Sequence, residues 1–433
     1  MNPSPVNAQV ENLLLAVLVQ LIVIVAAARL AGAVFRRLGQ PQVCGEIAAG
    51  LILGPSLLGG LFPGVFHAVF QPAASGFFSV MSQLGLVLLM FLIGLEFDFG
   101  HLEANRRAAL SISTAGIVLP FALGFGLGRA MHGWMSLEGS WFNLALFMGT
   151  AMSITAIPTL GRIMIEMGIN RTRIGSITIA AAAIGDAAGW IILAFVTAVV
   201  RSAFDPAALA LTIAEVLAFM AFMIFAARPW LVRWIAGLPR NEPPSLDTLA
   251  ILLVLIFVSA AATNLIGIFS IFGAFLLGAV LYDQHEFGAA VKARLNGFVT
   301  VFFLPVFFTY TGLRTDMGAM TGGALWAMGG LVLAAATAGK FGGCALAARA
   351  AGNPWRESSI IGVMMNTRGL MELIVINIGF DLGIIPKSIF FMLVMMAVAT
   401  TYVTAPVLRR LIKSSELEAD FAKSGFGTLQ NPT

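Results

Sequence analysis

Long apolar runs, separated by clusters of arginine, proline, glycine and acidic residues, make up most of the chain. A helix needs about 20 mainly apolar residues to cross a hydrocarbon core of roughly 30 Å. With the polar and Pro/Gly clusters taken as boundaries, the pattern predicts thirteen spans: 10–35, 42–60, 76–96, 107–130, 141–166, 173–200, 206–236, 246–265, 267–283, 294–313, 321–349, 355–380 and 386–411. The run after Glu11 is longer than a signal-peptide core and has no basic segment before it, so it is read as a retained first span.

Lysine and arginine test this count, because a wrong number of spans would mix the two sides of the membrane. Thirteen spans with the N-terminus outside put 18 of the 25 basic residues on the inner side and 4 on the outer. The other three, Arg29, Lys340 and Arg368, lie within spans. The asymmetry predicts an N-out, C-in, all-α integral membrane protein. Composition agrees: 59% of the 433 residues are hydrophobic and 11% charged, against roughly 45–50% and about 25% in a soluble domain. A formal charge of +4 without any long Lys/Arg run gives no reason to expect nucleic acid.

Two sequence echoes suggest a duplication. Gly94-Leu95-Glu96-Phe97-Asp98 closes span three as Gly312-Leu313-Arg314-Thr315-Asp316 closes span ten, and Gly45 and Gly50 in span two resemble Gly273 and Gly278 in span nine. Both echoes are seven spans apart, an odd number that reverses orientation. The expected architecture is two inverted six-helix repeats, spans one to six and eight to thirteen, joined by span seven, as in many secondary transporters.

Ionisable groups inside spans cost at least about 2.5–3.5 kcal/mol each near the centre, so each needs a reason. Asp186 is 13 residues past Arg173, or about 20 Å into span six, and Lys340 is about 14 Å from the inner end of span eleven. Either they form a cation- and proton-binding carboxylate with an ammonium partner, or they form a structural ion pair. Span five contains Ser153-Ile154-Thr155-Ala156-Ile157-Pro158 and span twelve contains Asn366-Thr367-Arg368-Gly369. Both are candidate helix breaks at the depth of Asp186, where freed backbone groups, Ser153 and Thr155 could coordinate a dehydrated Na⁺ or K⁺. A proline kink with small-residue packing is the plainer reading. Arg368 and Glu372, four residues apart, can neutralise each other. Glu46 lies nearer an interface, and Glu215 in span seven is read as structural. Cys44 and Cys344 sit in apolar segments and the four histidines in predicted loops. No nucleotide-loop or zinc-ligand spacing appears, so neither an enzyme nor a cofactor is expected.

At these residues the chain resembles the sodium/hydrogen exchanger family, in the second branch of the monovalent cation:proton antiporter superfamily, which includes plant cation/proton exchangers and bacterial potassium-efflux systems. The resemblance covers about residues 12–411. It is carried by Gly39-Gln40-Pro41 with Gly45-Glu46-Ile47-Ala48-Ala49-Gly50 and Leu53-Gly54-Pro55, by Phe91-Leu92-Ile93-Gly94-Leu95-Glu96, and by the span-five segment above. Gly273-Ala274-Phe275-Leu276-Leu277-Gly278 and Met365-Asn366-Thr367-Arg368-Gly369-Leu370-Met371-Glu372-Leu373 complete it, the last most like the plant exchangers.

The resemblance implies a sodium/proton antiporter-like fold with crossed, discontinuous spans five and twelve. Scaffold and pairing helices would occupy 10–100 and 246–313, a mobile core 104–201 and 321–411, a linker 206–236, and a short cytoplasmic tail 412–433. Asp186 corresponds to the family's ion- and proton-carrying aspartate, Thr155 to the polar position beside it, and Lys340 to a lysine that pairs with it in some members. Pro158, Asn366, Thr367, Arg368 and Glu372 would support the breaks. One position departs: relatives commonly carry Asp or Asn before the aspartate, and this chain has Gly185. The family's nucleotide-binding regulatory domain is not expected in the few residues after span thirteen.

The expected activity is alternating-access antiport of Na⁺ or K⁺ against protons at Asp186, by a homodimer in lipid, in a bacterial plasma membrane. A sodium-coupled symporter for an organic anion and a transport-inactive membrane sensor remain as alternatives.

Overall fold

A computed structural model describes residues 5–38, 40, 42–71, 75–95, 106–169, 172–201, 206–239 and 244–413, and among these there are helices and turns but no strand. Each predicted span contains helix, in one piece or two. Nine helices among the described residues are long and apolar enough to cross a membrane: Glu11–Arg37, Gly76–Leu95, Arg107–Trp134, Arg173–Arg201, Pro206–Ala236, Leu246–Ile266, His285–Ala319, Gly323–Ala350 and Lys387–Ile412. The remaining four spans depart from a straight crossing in two ways. Spans two and nine are short apolar helices, Cys44–Gly59 and Ser270–Ala279. Spans five and twelve are each two half-helices, Trp141–Ser153 with Ile157–Glu166 and Trp355–Met365 with Leu370–Asp381. Each departure recurs seven spans later, as a duplicated six-span unit requires.

The chain divides into two compact units, one of spans one to three and seven to ten, the other of spans four to six and eleven to thirteen with Phe35–Cys44. In the first, glycines set the helix separations. A Cβ added to Gly312 would strike the Gly50 backbone, and one added to Gly278 would strike the backbone of Phe91 and Gly94. Span two therefore meets span ten as span nine meets span three. Likewise Gly45 lies against Ala31 and Gly32 of span one, as Gly273 lies against Ser259 of span eight. These four contacts are the echoed glycines of the two repeats, and small residues are what let helices approach this closely in lipid. Glu46, buried in span two, finds its counter-charge in Arg29 at 3.9 Å.

Two prolines inside spans are accommodated by wide π-helical turns. Met223–Ala227 precedes Pro229, and Val299–Phe303 precedes Pro305. Each proline lacks an N–H and its ring would crowd the carbonyl four residues back, which lies in the widened turn.

Candidate functional site

The second unit gathers the polar residues singled out in spans five, six, eleven and twelve. Span five breaks because Pro158, second residue of its outgoing half, can neither donate a helical hydrogen bond nor tolerate a helical carbonyl at Ile154. Ile154 is extended, with φ −68° and ψ 145°, and Thr155 and Ala156 are non-helical. Span twelve breaks at Gly369, whose φ of +142° suits glycine alone, and whose added Cβ would sit 2.6 Å from Thr159 Oγ1 of span five. The halves of span twelve are bent by 44°.

A helix that stops inside protein leaves its last four carbonyls without partners. Here all four are taken. Ser153 Oγ donates to Thr150 O at 2.9 Å. Arg368 donates to Ala151 O at 3.1 Å and to Met152 O at 2.7 Å. Lys340 Nζ donates to Ser153 O, and also to Gly116 O of span four at 2.8 Å. Two cations thus cap the negative end of the first half-helix. Arg368 also pairs with Glu372, which sits in the first turn of the second half of span twelve, where a carboxylate suits the helix dipole. Thr367 Oγ1 bonds to Thr404 of span thirteen at 3.1 Å. Asn366 Oδ1 is buried with no hydrogen-bond partner among the described residues.

Lys340 reaches this point from a π-helical turn, Ala338–Gly342, within span eleven. It is 1% exposed, Arg368 0%, Glu372 1% and Asp186 3%. The centre of the unit therefore holds two cationic and two anionic side chains that cancel formally, and Lys340 lies within electrostatic reach of the other three.

Asp186 belongs to the helix Arg173–Arg201. Its neighbours Gly185 and Gly189, one turn apart on a single face, bring that helix against the break. A Cβ at Gly189 would lie 3.2 Å from Ile154, and one at Gly185 would lie 3.6 Å from Thr155 Oγ1 and 3.4 Å from Ser113 Oγ of span four. Neither hydroxyl has a hydrogen-bond partner among the described residues, and each residue is 1% exposed. Ser113 carries no distinguishing sequence signal, because a lone serine in an apolar span usually bonds to its own helix. Its spacing of three residues from Gly116, which accepts from Lys340, is the one available clue. Glu215 lies in the other unit on an exposed face of span seven.

The two breaks, the buried aspartate and the twofold recurrence of short and broken spans coincide with a match of residues 22–413 to the family described as sodium/hydrogen exchanger, transmembrane. The chain belongs to the sodium/hydrogen exchanger family. This is a family of multi-pass membrane transporters rather than enzymes, with cations and protons as substrates and no cofactor. The chain is 38% identical over 407 residues to the Na⁺/H⁺ antiporter NhaS4 of Synechocystis, covering 92% of this chain and 98% of that one. It is 34% identical to cation/H⁺ antiporter 17 of Arabidopsis thaliana, covering 95% of this chain and 50% of that protein, so it spans about half the length of the plant relative. The fold is that of the sodium proton antiporter MjNhaP1 of Methanocaldococcus jannaschii, with a TM-score of 0.66 over 95% of this chain and 99% of that one at 13% identity.

Proposed function

We propose that this exchanger moves a monovalent cation, Na⁺ or K⁺, against protons by alternating access, with Asp186 as the single carrier of both. The observation that carries the reading is the position of Asp186: a buried carboxylate within electrostatic reach of a buried ammonium, on a helix whose preceding residue, Gly185, faces the Thr155 and Ser113 hydroxyls at the break in span five. A carboxylate there holds a proton or a cation but not both, so one site couples the two fluxes without a further device. Thr155 contributes its hydroxyl oxygen to the cation. Ser153 Oγ–H donates a hydrogen bond to Thr150 O and leaves its oxygen lone pairs for the same purpose.

Lys340 acts as the counter-charge of Asp186 when no cation is bound, while its bonds to spans four and five hold the break open. Arg368, Glu372, Asn366, Thr367 and Pro158 keep the two broken helices in register. Spans four to six and eleven to thirteen form the moving core, and spans one to three and eight to ten form a scaffold that pairs two protomers. The setting is a bacterial inner membrane with the N-terminus outside.

The test uses proteoliposomes that are acidic inside and hold a trapped pH dye, with Na⁺, K⁺ or choline added outside. Dequenching by Na⁺ or K⁺ that disappears in Asp186→Asn is the expected result. Cation-dependent proton movement retained in folded Asp186→Asn would overturn the proposal. Silence of the wild type toward both ions would return the choice to a symporter or an inactive sensor.

A further inference from the structure

The geometry points to Ser113 as an additional oxygen ligand for the transported cation, with Gly185 providing the room in which that cation is held between Ser113, Thr155 and Asp186. The inference rests on the reading of Asp186 as the carrier and adds to it a residue and a determinant of ion size. Buried hydroxyls are normally bonded, usually to a carbonyl of their own helix. Ser113 Oγ and Thr155 Oγ1 are both without a partner among the described residues, on different spans, and both face one point. That point is where a side chain on residue 185 would begin, 3.4 Å from one hydroxyl and 3.6 Å from the other, and no other atom from a neighbouring helix lies within 4 Å of it among the described residues.

The arrangement is built rather than incidental. Lys340 donates to Gly116 O, one turn beyond Ser113, and to Ser153 O, two residues before Thr155. Its ammonium thereby clamps the Ser113 face of span four to the break in span five. Cys344, one turn along from Lys340, fills the groove beside Gly116, where an added Cβ would lie 2.5 Å from Sγ. The oxygens so assembled are hard, neutral hydroxyls that face Gly185, the residue adjoining one carboxylate, Asp186. That charge balance suits a monovalent cation better than a divalent one, which favours several carboxylates. Because the side chain of residue 185 would project between the two hydroxyls, its size sets the size of the cation they share.

The test measures KM for Na⁺ and for K⁺ in proteoliposomes of the full chain carrying Ser113→Ala, Gly185→Ala or Asp186→Asn. Loss of one oxygen ligand in Ser113→Ala is expected to raise the KM of the transported cation about tenfold, with the maximal rate little changed. Gly185→Ala is expected to raise KM for K⁺ more than for Na⁺, shifting their ratio about threefold or more. Its new Cβ meets nothing closer than 3.4 Å, so it carries the test if Ser113→Ala does not fold. Unchanged KM values and an unchanged ratio would overturn the role of Ser113 and Gly185 while a dead Asp186→Asn left the carrier intact. Exchange surviving in Asp186→Asn would instead remove the carrier reading itself.

Discussion

Both compact units bring helices together at glycines, as Gly124 against Met148 and Gly343 against Ala115 show for the second, but the second adds buried cations at a helix break. In the unit of spans one to three and seven to ten, backbones meet at glycines: Gly50 against Gly312, and Gly94 against Gly278. Its buried carboxylate, Glu46, is offset by an Arg29 whose side chain is 36% exposed. In the unit of spans four to six and eleven to thirteen, Arg368 and Lys340 lie fully inside and bond to the carbonyls that end the first half of span five. A glycine contact has one geometry and no charge to rebalance. A charge-held break responds when a proton or cation changes the balance, and this is the ground on which exchange is proposed for the second unit.

The widest separation between the units is expected from Asp186→Asn, which removes the charge at the centre of one and leaves the other untouched. Exchange in the dye assay should vanish in purified protein that still shows a cooperative melting transition. Next comes Arg368→Ala, which leaves Glu372 buried without its partner and two helix-end carbonyls unbonded. Breaking a buried pair of this kind costs about 3–5 kcal/mol, and the loss should be smaller in Arg368→Met with Glu372→Met, because the lone charge is gone. Thermal unfolding of the single and double variants checks this.

A similar or smaller loss should follow from Gly312→Val in the other unit, where overpacking of backbone against backbone costs about 3 kcal/mol. Here no charge substitution should rescue it, and a compensating change of charge that did so would break the contrast. The smallest effect belongs to Arg173→Ala, which removes the 2.5 Å pair with Glu357. That arginine side chain is 59% exposed, so the loss should stay below about 1 kcal/mol.

What the sequence discloses depends on how far the responsible interaction reaches. Pro158 and Gly369 act on backbone within four residues, so both breaks are legible from local rules. Span nine, over 267–283, is legible as a short apolar run, whereas span two, over 42–60, reads as a full crossing, and the Arg368–Glu372 spacing reads directly as one helix face. The capping of span five by Arg368 and Lys340 is not legible, because it joins residues 187 to 217 positions apart. Ser113 is not legible for the same reason: its proposed role depends on what Gly185 leaves out, and no pattern within span four records that. Arg29 stood out as a lone charge in span one, and its partner Glu46 became evident only once the helices were packed.

The central claim is that one carboxylate carries either ion, and competition tests it most directly. Measured in proteoliposomes over a range of external pH, the apparent KM for the transported cation should rise on the acid side by about tenfold per pH unit, at a maximal rate set by saturating cation. A KM independent of pH across that range would mean that proton and cation do not share Asp186, and would contradict the account.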